Sequence, residues 1–151
     1  MSTTNASPQN PMSRERMEEF LAQPWIAVLS WLTPKGTVAS SPVWYAYRDG
    51  KFWVSSSSVF SKVRSMAKHP QVSLCIQDPT PPYRYVTVGA TAVVRADAAA
   101  GRALDEQLAV RYLGPKAARY YIEKIAPNYP GEPRLVELTP THVSTMDGPP
   151  A

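Results

Sequence analysis

The sequence lacks most of the residues and motifs that announce a chemistry. It has one cysteine, Cys75, in 151 residues. A lone thiol cannot close an internal disulfide and excludes a cysteine-based metal cluster. A reducing, cytoplasmic setting is the expectation that follows. Its two histidines, His69 and His142, stand near prolines and far apart. No His/Asp/Glu group has metal-ligand spacing. A serine nucleophile would have only His142 as a base, a poor basis for hydrolysis. No apolar run approaches the ~20 residues of a membrane helix. The opening MSTTNASPQNP has no basic segment followed by an apolar one, so it reads as a disordered lead-in and not a secretory signal. There is no G-x-G-x-x-G between a strand and a helix, and no P-loop. The carboxylates are scattered over expected helix faces and turns. An enzyme with this inventory would leave the chemistry to a bound cofactor and supply shape, hydrogen bonds and phosphate contacts.

What is present suits one domain with a real core: 44% of residues are hydrophobic. Residues 1–12 read as a tail, 13–146 as the domain and 147–151 as a loose end. The net charge of +4 favours anionic partners without choosing among phosphates, a polyanionic cofactor and nucleic acid.

The most informative stretch runs from Thr37 to Gln77. TVASSPVWYAYR and KFWVSSSS meet at Asp49-Gly50, a turn pair that tolerates φ > 0 and signals a hairpin. Pro42 should break its strand's ladder and leave backbone near Ser41 to Trp44 free, or mark a bulge. The second strand ends in Ser55 to Ser58. The helix VFSKVRSMAKH follows, with Lys62 and Arg64 near its start and Phe60, Val63, Met66 and Ala67 on one face. Hydroxyls, free N–H groups and cations at a helix start can bind an anion. A cap followed by a solvated basic face explains the same residues.

Elsewhere, Ser13 should cap a helix over Arg14 to Ala22, with Met17, Phe20 and Leu21 as its stripe. Trp25 to Thr33 reads as a buried strand. In the strand PQVSLCIQ, Val72, Leu74 and Ile76 oppose Ser73, Cys75 and Gln77. The longest strand is Tyr83 to Arg95, with Gly89 as a bend. Its alternation sets Arg84 opposite Tyr83 and Tyr85, which argues against one base-stacking surface and so against a nucleic-acid module. A helix runs from Asp97 to Tyr112, with Arg102, Asp105 and Glu106 toward water. Gly114-Pro115 opens another, whose apolar face holds Ala118, Tyr121, Ile122 and Ile125. Two last strands, Arg134 to Thr139 and His142 to Met146, flank Pro140. The sum is an α+β fold: a small antiparallel barrel of six or seven strands with peripheral helices.

These segments, in order over about residues 14 to 146, resemble the split β-barrel superfamily of pyridoxamine-5′-phosphate oxidase-like flavin and deazaflavin oxidoreductases. The carriers are WIAVLSWL, SSPVWY, KFWVSSSSVFSKVRSM, HPQVSL, PYRYVTVGATA, RYLG and LVELTPTHV. Within it the chain is most similar to the actinobacterial branch using coenzyme F420. The resemblance implies a split barrel, a homodimer and two cofactor sites between the subunits. It implies that Lys62 holds cofactor phosphate, with Arg64 secondary, and that Ser56 stands by the ribityl chain and phosphate. Ser57, Ser58 and Ser61 would add donors, and Ser41, Pro42 and Val43 would set backbone against the ring system. Gln77 would reach the cofactor, and Tyr83 and Tyr85 would come from the partner. One departure stands out. Phe60 and Ser65 occupy places where relatives commonly carry arginine and asparagine, which removes a cation from the phosphate site.

Three readings follow. The first is hydride transfer between F420 and a small conjugated substrate, in a dry pocket lined by Trp44, Trp53 or Tyr85, with no side chain as obligate acid or base. The second is an FMN oxidase or reductase of the same fold. The third is non-enzymatic: a barrel that binds or sequesters a cofactor or haem, or a basic nucleic-acid module.

Overall fold

The computed structural model describes residues 10–149; the start of the lead-in and the last two residues of the tail lie outside them. Helix α1 spans Arg14–Leu21, and the Ser13 hydroxyl accepts from the Arg16 N–H as its cap. Seven strands follow: β1 (Ala27–Leu32), β2 (Val38–Val43), β3 (Ala46–Arg48), β4 (Lys51–Ser57), β5 (Gln71–Gln77), β6 (Tyr85–Arg95) and β7 (Pro133–Met146). Helix α2 (Ser61–Lys68) lies between β4 and β5, and α3 (Ala98–Tyr120) between β6 and β7.

All pairings are antiparallel, in the order β2-β1-β5-β6-β7-β4-β3. The two edge strands, β2 and β3, are separated in sequence by only Trp44 and Tyr45. Extended chain spans roughly 3.5 Å per residue. The sheet must therefore curl until its edges nearly meet, which gives the split barrel. The inner face holds Leu29, Val43, Phe52, Val54, Leu74, Ile76, Val86, Val88, Val136 and Leu138. Tyr45, fully buried at the seam, donates its hydroxyl proton toward the Leu21 and Gln23 carbonyls and ties α1 to the barrel end.

The alternation read from the sequence holds in β5, and Asp49 and Gly50 form the hairpin turn at φ 56° and 72°. Four expectations change. The strand expected over 37–48 is split by the seam. The β1–β2 register runs unbroken through Pro42 opposite Val28, because β2 is an edge strand and one side of it needs no N–H. Tyr83 lies in a turn at φ 63° and β6 starts at Tyr85, so alternation cannot relate Tyr83 to Arg84. The two last strands are one: the β6–β7 register shifts at Gly89/Ala90 and skips Thr141, and this bulge accommodates Pro140.

Asp97 caps α3 by accepting from the Ala100 N–H. Gly114, at φ 81° and ψ 164°, breaks the helix, and Pro115 begins its second half. A π-helical turn (Tyr121–Ile125) and a 3-10 turn (Ala126–Asn128) complete the insertion. Arg111 donates to the Leu21, Ala22 and Gln23 carbonyls, so α3 closes the C-terminus of α1. Gly101 touches β7: a Cβ there would lie 3.1 Å from the backbone of Arg134.

Candidate functional site

A cavity of about 1000 Å³ opens beside the seam, walled by β2 and β4 on one side and by the α3 insertion on the other. The strand wall presents Pro42, Val43, Trp44, Ser55, Ser56 and Ser57, with Phe60 and Lys62 from the start of α2. These meet because β2 and β4 approach each other only where the sheet closes on itself.

The serine run does not cap α2. Phe60 occupies the cap position and makes no side-chain hydrogen bond. Ser55 donates to the Gly101 carbonyl and Ser57 to the Pro130 carbonyl, and the Ser58 hydroxyl accepts from the Glu132 N–H. Three of the four serines thus latch the helical insertion onto β4. The Ser56 hydroxyl remains buried without a partner. Lys62 is part-buried, and its ammonium lies 3.4 Å from the Ser41 hydroxyl and 5.8 Å from the centre of the Phe60 ring. Burial pushes its pKa below the usual lysine value, and no carboxylate lies within ion-pair distance of it among the described residues. A desolvated cation and an orphaned hydroxyl in one cavity wall are groups that an anionic oxygen would complete. The donor set fits a phosphate.

Of the expected site residues, Ser41, Pro42, Val43, Ser56, Ser57 and Lys62 come together here. Ser58 belongs to the latch. Ser61 is exposed, and the Arg64 guanidinium turns back to donate to the Val59 carbonyl. Gln77, Tyr83 and Tyr85 do not line the cavity of this chain, and of the aromatic residues expected in it only Trp44 does. Phe60 is exposed at the rim and is not on a buried face; Ser65 is buried, while Ala67 is exposed.

The opposite wall was not foreseen as a site. Asp105 and Glu106 were expected to face water, and Tyr121, Ile122 and Ile125 to form a buried face. All five line the cavity. Tyr121 donates its hydroxyl proton to the Asp105 carboxylate, at 3.0 and 3.2 Å to the two oxygens. Burial raises the pKa of Asp105, and burial together with Asp105 raises that of Tyr121. Trp44 stacks on Tyr112 at 5.2 Å and meets Tyr121 at a tilt, 5.7 Å away; Tyr121 in turn meets Tyr129. Gly114-Pro115, which folds the second half of α3 back, was the only cue to this wall.

Among the described residues no cluster of His, Cys, Asp and Glu could hold a metal, and no helix is long and apolar enough to cross a membrane. The family model described as pyridoxamine 5′-phosphate oxidase matches residues 13–147. Among solved structures, an F420 reductase is similar at 24% identity, with 84% of this chain and 94% of that one covered and a TM-score of 0.71. The conserved hypothetical protein Rv2991 from Mycobacterium tuberculosis is similar at 19% identity, with 92% and 88% covered and a TM-score of 0.73. A FAD-binding protein from Mesorhizobium loti is similar at 18% identity, with 90% and 95% covered and a TM-score of 0.62. A comparison with functionally curated proteins finds no match.

Proposed function

Because this chain belongs to the pyridoxamine 5′-phosphate oxidase family, we propose that it is an oxidoreductase transferring a hydride between the deazaflavin coenzyme F420 and a small conjugated organic substrate. The observation that carries this reading is a cavity wall that holds both the partly buried Lys62 ammonium and the unpartnered Ser56 hydroxyl. Lys62 would hold the cofactor phosphate, with Ser56 as a further donor. Pro42 and Val43, on an edge strand, would bring backbone to the ring system. When bound, the cofactor supplies the hydride chemistry; the chain binds, orients and excludes water. The apolar side chains of Leu108, Leu113, Ile122 and Ile125 serve the last role.

The active form in this reading is a cytoplasmic homodimer, with Gln77, Tyr83 and Tyr85 reaching the partner's cofactor. Exposed Val28, Ser73 and Cys75 on the outer face of β1 and β5, with Tyr83 half exposed, give that dimer a surface of small and apolar groups. The same lysine and serine also suit the phosphate of FMN, so an FMN oxidase or reductase is the second reading.

Titration of purified, cofactor-free protein with F420 and with FMN, followed by fluorescence, tests both. Micromolar or tighter F420 binding with weak FMN binding is expected. The reverse order would move the assignment to FMN, and binding of neither would overturn both.

A further inference from the structure

The cavity has a second pole. Asp105 is a half-buried carboxylate whose hydrogen bonds all come from Tyr121, and no cation lies within ion-pair distance of it among the described residues. A carboxylate taken from water without a cation is electrostatically unfinished. On the same helix Glu106 and Arg102 also line the cavity, both exposed and of opposite charge, so Asp105 is the half-buried charge of this wall. Tyr121, which holds Asp105, meets the rings of Trp44 and Tyr129, and these rings line the same cavity as Leu108 and Ile122. Aromatic faces next to a carboxylate favour a flat, positively charged partner.

From this geometry we infer that Asp105 and Tyr121 form the recognition site for a planar, conjugated nitrogen cation, such as an N-substituted or protonated heteroaromatic ring, as the substrate. The inference rests on the oxidoreductase reading and names the substrate class within it. The chemistry agrees with the wall. Tyr121 already commits its proton to Asp105, so neither group offers one freely. A cationic ring needs none: a hydride from the singly deprotonated, anionic reduced form of a flavin or deazaflavin would form one C–H bond as the cofactor's own bond to that hydrogen breaks, its electron pair would cancel the ring's positive charge, and the dihydro product and the oxidised cofactor ring would both be left neutral. The neutral product loses its attraction to Asp105, which favours release.

Calorimetric titration at about pH 8 with N-methylquinolinium and neutral 4-methylquinoline tests this, since the two probes share shape and differ in charge. The wild-type protein is expected to bind the cation about tenfold more tightly, as a hydrogen-bonded or contact charge warrants. Asp105→Asn should bring the two within about twofold of each other, while Glu106→Gln should keep most of the preference. Equal binding of both probes by the wild type, or an unchanged preference in Asp105→Asn, would overturn the inference. Cofactor titration of the same Asp105→Asn protein keeps the outcomes apart. Retained cofactor binding with a lost cation preference supports the assignment. A retained preference in a wild-type protein that binds neither F420 nor FMN overturns the oxidoreductase reading and leaves the cation site standing.

Discussion

The two walls of the cavity are built on different principles. The strand wall is held by ladder hydrogen bonds around the barrel core, and its working groups are a cation and a hydroxyl short of partners. The insertion wall is held by side-chain latches, and its working groups are a carboxylate and a phenol already paired with each other. The first is suited to hold a fixed anionic ligand. The second offers a carboxylate and aromatic rings to the cavity. The difference also sets what each wall costs to damage.

The largest effect should come from the strand side. Phe52 is 1% exposed in the barrel core and lies on the strand that carries the serines. Phe52→Ala should cost about 3–5 kcal/mol in denaturant unfolding. Leu108 is equally buried but lies outside the main core cluster, under the insertion. Leu108→Ala should fall near the lower end of the usual ~2–5 kcal/mol range. A larger loss for Leu108→Ala than for Phe52→Ala would break the contrast.

Gly101→Ala sharpens it. The added Cβ would meet the Arg134 backbone at 3.1 Å, so α3 and β7 must shift slightly apart. We expect a loss of about 1–3 kcal/mol, with weakened probe binding at Asp105 and little change in phosphate affinity at Lys62.

The smallest effects concern two carboxylates of opposite behaviour. Glu137, on β7, is buried between Lys51 and Arg95, whose hydrogen bonds hold its pKa below the usual glutamate value. Its contribution to stability is present above the ordinary carboxylate range and is lost as pH falls through the depressed folded value. The pKa of Asp105 is raised by burial, so the folded state holds that proton more tightly than the unfolded chain does. Asp105 therefore favours folding in acid, and ionising it opposes folding as pH rises through the raised value. Melting curves against pH should show Glu137→Gln destabilised by about 1–2 kcal/mol at neutral pH, with a shallower acid loss. Asp105→Asn should be neutral or slightly stabilised at neutral pH. Equal responses from the two variants would contradict these assignments.

How legible each wall was in the sequence follows the same division. Strand alternation is a local rule, so the inward residues of β5 and the Asp49-Gly50 turn could be read directly. Lys62 and the serine run drew notice locally, as a cation and hydroxyls at a helix start, but Ser56 was set apart from its neighbours only by the family resemblance, and the break expected at Pro42 is absent from the ladder. What could not be read was the use of the serines. Their partners Gly101, Pro130 and Glu132 lie tens of residues away, and nothing local distinguishes a latch from a cap. Asp105 was misjudged for a related reason. Helical periodicity separates the core side from the other side, but it cannot tell open water from a cavity that the same chain closes 16 residues later with Tyr121. The seam at Trp44-Tyr45 was hidden because a strand that ends and one that crosses to the opposite edge of the sheet share the same local pattern.

The central claim is that Lys62 and Ser56 read a cofactor phosphate. It is tested most directly by measuring binding of F420 and of its deazaflavin fragment lacking the phosphate, to the wild type and to Lys62→Ala. The wild type should prefer the phosphate-bearing ligand by at least tenfold, and Lys62→Ala should lose most of that preference, a coupling of about 1.5–3 kcal/mol for a charge-assisted contact. An undiminished preference for the phosphate in Lys62→Ala would contradict the account.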